Sequence, residues 1–139
     1  MGGSTIDDEP LVRVALAHYQ LETIHPFSDG NGRVGRLLIA LQMVRENLVD
    51  APWLYISPYL EANREHYYDG LYRVSTRGEW LPWIEFFVTA VCDSAKDTLK
   101  KFRCLRNLRS NFEEIPDLAA KQGRPTYFSL KTPVEVVLF

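Results

Sequence analysis

The stretch His25-Pro26-Phe27-Ser28-Asp29-Gly30-Asn31-Gly32-Arg33-Val34-Gly35-Arg36 puts an imidazole, a carboxylate, a glycine-rich turn and two arginines within twelve positions. An imidazole has an unperturbed pKa of about 6.5, so near neutral pH it keeps a neutral fraction able to accept a proton. An aspartate is a hard oxygen donor of the kind Mg²⁺ takes. Gly30-Asn31-Gly32 offers two residues free to adopt positive φ, around an asparagine that tolerates the left-handed region. Such a turn can aim successive backbone N–H groups at one point and form an anion-binding nest. From Arg33 onward, Val34, Leu37, Leu38, Leu41 and Val44 recur at three- and four-residue steps, which predicts a helix. The nest then falls at a helix N-terminus, where unsatisfied N–H groups and the macrodipole favour a phosphate. Arg33 and Arg36 share a face of the first turn. Two cations there oppose the dipole, a local cost that a bound anion relieves. Each element alone has an ordinary explanation: the turn as punctuation between helices, the arginines as solvated, His25-Pro26 as the start of a loop. Their conjunction at this spacing describes a proton acceptor beside a polyphosphate site.

The elements that must hold this stretch read as helices. A first helix is expected from about Asp8 to Thr23, with Pro10 in its first turn. The motif loop follows, then the nest helix to about Asn47. Asp50-Ala51-Pro52 reads as a connection, with a short extended run at Trp53 to Ile56. Ser57-Pro58 reads as N-cap and first residue of a helix to about Ser75. Arg77-Gly78 breaks it, and a further helix runs from about Glu79 past Cys104, with Pro82 in its first turn. The expected fold class is all-α: a helical bundle with the catalytic loop between two central helices and little or no sheet. Residues 1–7 read as a disordered start or an expression scar, 8–111 as the catalytic core, and 112–139 as a tail without an assigned role, ending in the β-prone run Val134 to Phe139.

Composition bounds the function class. The chain has 139 residues, 46% of them hydrophobic and 12% aromatic, enough for one core. A formal net charge of −2 gives no global electrostatic footprint for nucleic acid. The basic residues recurring from Lys96 to Arg109 read as a solvated helix face. Cys92 and Cys104 do not make a disulfide framework, and no His/Cys cluster has zinc-ligand spacing. No apolar run is long enough for a bilayer, so no membrane partner and a cytoplasmic location are expected, secretion as an effector staying compatible. His18, seven residues before His25, reads as a hydrogen-bonded, partly buried side chain, and His66 as exposed.

The run at 25–36 resembles the signature of Fic domains, His-Pro-Phe-x-Asp/Glu-Gly-Asn-Gly-Arg-x-x-Arg, with every specified position matched. The similarity extends from about Ala15 to Ala95. Upstream it takes in Ala17-His18-Tyr19-Gln20 and Ile24, and downstream Ser57-Pro58-Tyr59, Arg64, Tyr67-Tyr68, Trp80, Trp83-Ile84 and Phe86-Phe87. The resemblance implies a protein adenylyltransferase moving AMP from ATP to a Ser, Thr or Tyr hydroxyl of a target protein. It implies His25 as general base and Asp29 as Mg²⁺ ligand, with ATP as co-substrate. Phosphate binding is implied through Asp29, Gly30, Asn31, Gly32, Arg33, Val34, Gly35 and Arg36, and nucleotide contact by Tyr67 and Tyr68. Arginine suits the β- and γ-phosphates because its fork can bond two oxygens, which lysine cannot copy. Phe27 is expected to anchor the loop through its ring. Gly35, costing roughly 1 kcal/mol against alanine in a helix, points to close approach of another element. Ser75 lies where some relatives carry an asparagine near the nucleotide, a contact in doubt here.

Relatives place a β-hairpin flap before the motif to dock the target, and only twenty-four residues precede His25 here, too few for helix plus flap. The resemblance also brings an inhibitory helix, Ser/Thr-x-x-x-Glu-Gly/Asn, or an antitoxin-like partner as candidate regulators of Arg36. Thr5…Glu9-Pro10 and Ser110…Glu114-Ile115 match only its first part. Homo-oligomerisation is compatible with all of this. Two alternatives stand beside AMP transfer: a Fic enzyme moving another phosphate-containing group, and a non-catalytic nucleotide-binding or interaction fragment.

Overall fold

The structure, a computed structural model, describes residues 9–113, with side chains to residue 110. The expected start at 1–7, the Val134 to Phe139 run, and the Thr5 and Glu114 ends of the two inhibitor-like stretches lie outside the described residues. The chain divides into two compact units, residues 1–98 and 99–139. The described residues form five helices and no strand: α1 (Pro10–Ile24), α2 (Asn31–Arg45), α3 (Ser57–Ala62), α4 (Arg64–Arg77) and α5 (Trp80–Glu113). The all-α expectation holds, and Trp53 to Ile56 joins no ladder.

Helix α1 has Pro10 in its first turn, where a missing N–H is harmless, and buries Val14, Ala15 and His18 on one face. It stops at His25, whose N–H reaches Leu21 O at 2.9 Å while its own backbone turns left-handed, φ 50 and ψ 56. Pro26 keeps the preceding residue out of right-handed helical geometry, so α1 has to end there. Helix α2 starts two residues earlier than the apolar spacing from Arg33 suggested. Gly30, at φ 85, serves as its N-cap, a conformation glycine adopts without the Cβ penalty.

The single helix expected from Ser57 to Ser75 is instead two, broken at Asn63. The Asn63 side chain donates to Tyr59 O at 2.9 Å, the same carbonyl its backbone N–H uses at 3.0 Å. A side chain competing locally for a helix carbonyl is a common way to interrupt the ladder. Ser57 is not the N-cap either: Ile56 holds that position and no side chain caps α3.

Within residues 1–98, α1 lies along α2, and α4 and the first part of α5 close the core. Trp83 and Phe87 are wholly enclosed, with Val14, Ile39 and Ile56 beside them. Removing each such side chain from water contributes roughly 1.5–3 kcal/mol. The Trp83 indole N–H donates to Ala15 O at 3.2 Å, pinning α5 to α1. Tyr19 and Ser75 share a 2.9 Å hydroxyl bond that ties α1 to α4, so Ser75 acts between helices. Within residues 99–139, the described part is the continuation of α5, on which Lys100, Lys101, Arg103, Arg106 and Arg109 are all exposed, as a solvated face requires.

Candidate active site

The loop between α1 and α2 is shaped by one side chain. Asn31, only 3% exposed, accepts a hydrogen bond from Phe27 N at 2.9 Å and donates to Phe27 O at 2.5 Å. Both ends of its amide are thereby spent on the loop's own backbone. The Phe27 ring, expected in the core, is 47% exposed. The loop is anchored through the main chain of Phe27 because Asn31 grips it there.

With the loop set, the N-terminus of α2 carries no side-chain cap. The first helical bond runs from Val34 N to Gly30 O at 3.0 Å, so the Val34 amide belongs to the helix and the open donors precede it. Both motif arginines fold back over this end. An Arg33 guanidinium nitrogen lies 3.4 Å from where a Cβ on Gly30 would stand, and an Arg36 nitrogen 3.1 Å from one on Gly32. Two guanidinium heads, a helix dipole and open N–H groups converge at the two glycines. Such an arrangement is chemically suited to a multiply charged anion.

The structure does not bring Gly35 to that cradle. Its Cα faces α1, where an added Cβ would meet Glu22 Oε1 at 2.5 Å and His18 Cε1 at 3.1 Å. The close approach read from the sequence is therefore that of α1 itself, and phosphate contact by Gly35 gives way to packing. Asp29 is exposed and pairs with Arg33 at 3.1 Å. Among the described residues no group of three or more His, Cys, Asp or Glu side chains could hold a metal. A lone exposed carboxylate beside an anion cradle nevertheless fits Mg²⁺, which is usually held by one or two carboxylates with substrate oxygens completing its shell.

His25 is exposed, and its Nδ1 lies 3.4 Å from Glu22 O. A carbonyl only accepts, so this long contact favours the proton on Nδ1 and leaves the Nε2 lone pair open. The left-handed backbone at His25 is costly for a residue with a Cβ, a strain of order 1–3 kcal/mol that concentrates at functional positions.

His18 is fully enclosed among Tyr67, Trp83 and Phe87, with Nε2 3.1 Å from the Tyr67 hydroxyl. Burial pushes its pKa down to about 4, so the ring is neutral at physiological pH. Burial likewise pushes the Tyr67 phenol up, with the nearby Glu22 charge adding to the effect. His66 is exposed, as expected.

Tyr67 and Tyr68 both line a pocket of about 420 Å³ that also takes in Arg36, Tyr55, Glu61 and Arg64. Tyr67 is 8% exposed and Tyr68 54%, and the Arg64 guanidinium stacks over the Tyr68 ring at 5.6 Å. Arg36 links pocket to cradle: it borders the one while its head lies over Gly32 in the other. Sequence reasoning gave Tyr55, Glu61 and Arg64 no function. The four-residue spacing of Arg64 and Tyr68 on one helix was an available signal; the placing of Tyr55 had none.

No helix among the described residues is long and apolar enough to cross a membrane. The model of the Fic/DOC family matches residues 4–43. A Caenorhabditis elegans protein named protein adenylyltransferase fic-1 is 39% identical over 83 residues, 60% of this chain and 15% of its own length. Proteins named protein adenylyltransferase Fic from Aedes aegypti and Drosophila grimshawi are 38% and 36% identical over 90 residues, 65% of this chain and 16% of theirs. The chain thus spans about a sixth of the length of these relatives. Over residues 4–43, and over the stretches shared with these relatives, the chain is similar to Fic/DOC proteins.

Proposed function

We propose that this chain carries a protein adenylyltransferase domain, which transfers AMP from ATP to a hydroxyl of a target protein. The observation that carries this reading is the pair of guanidinium heads over Gly30 and Gly32 at an uncapped helix N-terminus, on the loop that begins at an exposed histidine. The names of the relatives support the same activity. In this mechanism the target oxygen attacks the α-phosphorus, its proton passes to His25 Nε2, and the bond to the β-phosphate oxygen breaks. Pyrophosphate leaves and AMP remains on the target in a phosphodiester link. Arg33, Arg36 and the α2 amides hold the charge that develops on the leaving phosphates. The pocket at Tyr67 and Tyr68 takes the adenosine end, and Arg36 spans the two parts. Mg²⁺, when bound by Asp29, supplies further neutralisation of phosphate charge. The loop's contribution is alignment, which Asn31 provides by fixing Phe27.

Incubation with α-labelled and γ-labelled ATP, alone and with cell lysate, tests the reading. AMP transfer gives protein label from the α position only. Label from γ only means phosphate transfer, and ATP binding without either label means a non-catalytic module. His25→Ala should lower α-labelling by on the order of 10²–10⁴-fold while ATP binding persists. Wild-type-like labelling by that variant removes His25 from its role.

A further inference from the structure

His18 takes no part in the transfer chemistry, yet among the described residues no polar side chain is more enclosed. Helices α1, α2, α4 and α5 meet around it. The Tyr67 ring of α4 lies 6.0 Å from the imidazole between centroids, and Trp83 and Phe87 of α5 lie 6.3 and 5.9 Å away. Helix α2 comes up to another edge, where a Cβ on Gly35 would stand 3.1 Å from Cε1. Among the described residues Nδ1 has no hydrogen-bond partner, so the Tyr67 hydroxyl, 3.1 Å from Nε2, is the polar group that holds the ring. Burial lowers the pKa to about 4, which leaves the ring one N–H and one lone pair. A hydroxyl can accept from the first or donate to the second, so the bond forms in either tautomer.

The same bond reaches the pocket. Tyr67 lines the space that also takes in Tyr68 and Arg64. Its ring meets Tyr68 edge-on at 5.2 Å, and Tyr68 in turn carries the Arg64 guanidinium. A phenol whose hydroxyl is paired in the core is held at that end; without the partner the hydroxyl is left buried and unsatisfied, and the ring is free to shift. We propose that His18 is a positioning residue of the nucleotide pocket, which through its bond to the Tyr67 hydroxyl fixes the wall made by Tyr67 and Tyr68 and so sets affinity for the nucleoside end of the nucleotide. The inference rests on the reading that this pocket takes that end. The phosphate cradle at Gly30 and Gly32 is held separately, by the Asn31 bonds to Phe27, so affinity for phosphates alone does not depend on His18.

The test is calorimetric binding to the full chain of ATP and of inorganic tripolyphosphate, which carries the phosphate chain without the nucleoside. His18→Leu removes the bond and keeps an apolar filling. It should weaken ATP binding roughly three- to tenfold, the effect of one buried hydrogen bond, and leave tripolyphosphate unchanged. His18→Gln, whose amide offers both a donor and an acceptor, should keep wild-type ATP affinity. Tyr67→Phe breaks the same bond from the other side and keeps the ring. It should give the same ATP-only loss, and the two substitutions together no more than either alone. A general weakening of the fold would instead lower both ligands together. Equal losses for ATP and tripolyphosphate, additive losses in the double variant, a His18→Gln protein as weak as His18→Leu, or unchanged ATP affinity in Tyr67→Phe overturns the proposal. The Tyr67→Phe result decides even where His18→Leu does not fold. A chain that shows this pattern but transfers no α-label fails as an adenylyltransferase while the inference stands. One that transfers AMP without the pattern fails the inference alone, and absence of ATP binding in wild type overturns both.

Discussion

Asn31→Ala isolates what the loop's internal bonding contributes. The side chain is 3% exposed and makes two bonds to one residue, accepting from Phe27 N at 2.9 Å and donating to Phe27 O at 2.5 Å. Each such bond has a net value of about 0.5–1.5 kcal/mol, so losing both costs about 1–3 kcal/mol. The upper part of that range applies if the Phe27 amide and carbonyl stay shielded from water. The half-exposed Phe27 ring allows some water in, which pulls the value toward the middle. For a chain of this size 1 kcal/mol corresponds to a few degrees, so the melting temperature should fall by roughly 4–10 °C. Urea denaturation gives the free energy, and calorimetry gives ATP affinity on the same samples. Affinity should fall as well, because Gly30 and the α2 amides are held in register by that grip. Asn31→Asp sharpens the test: it can still accept from Phe27 N, but its carboxylate faces both Phe27 O and the anion cradle. It should therefore harm ATP binding more than stability. An Asn31→Ala protein within 0.5 kcal/mol of wild type and with unchanged ATP affinity refutes the assignment of Asn31 as the clamp of the loop.

Two further outcomes follow from the packing of α1. His18 is held neutral in the fold, with its pKa lowered from 6.5 to about 4, so the unfolded chain takes up the proton first. Its contribution is then fully present above about pH 6.5 and is lost as pH falls toward 4, about 3 kcal/mol in all. Urea titrations at pH 7 and pH 4.5 should show a smaller acid loss in His18→Gln than in wild type; an equal loss in both removes His18 from the account. Glu22 works in the opposite sense: its raised pKa means the folded chain holds that proton more tightly, so its penalty grows as pH rises. Gly35→Ala should gain about 1 kcal/mol of helix propensity but lose more to the overlaps at 2.5 and 3.1 Å with Glu22 and the His18 ring, for a net cost of roughly 1–2 kcal/mol. Denaturation showing a stabilised variant would mean that α1 and α2 can part without cost.

Much of the helical order is written in local chemistry. Pro10 opens α1, Pro26 ends it, Gly30 starts α2 and Gly78, at φ 65, closes α4, each through a backbone preference that needs no tertiary partner. The break at Asn63 has no local signal because the apolar spacing runs through it, and only the side-chain bond to Tyr59 O reveals the competition. Likewise, Ser57 met the preference for an N-cap without occupying the position.

The sequence by itself determined that an imidazole, a carboxylate, a glycine turn and two arginines fall within one short loop and helix start, because helix spacing and glycine backbone freedom act over a few residues. It also determined that a helix follows the loop, although that helix starts at Asn31, within the glycine run, rather than after it. Only the tertiary structure decided that the Asn31 amide is turned onto Phe27, that Gly35 faces Glu22 and His18, and that Tyr55, Arg64, Tyr67 and Tyr68 share a pocket with Arg36. Those facts depend on which faces of α1, α2 and α4 meet. That choice is made by burial of Trp83, Phe87, Ile39 and their neighbours, residues far apart in the chain whose contacts no local spacing encodes.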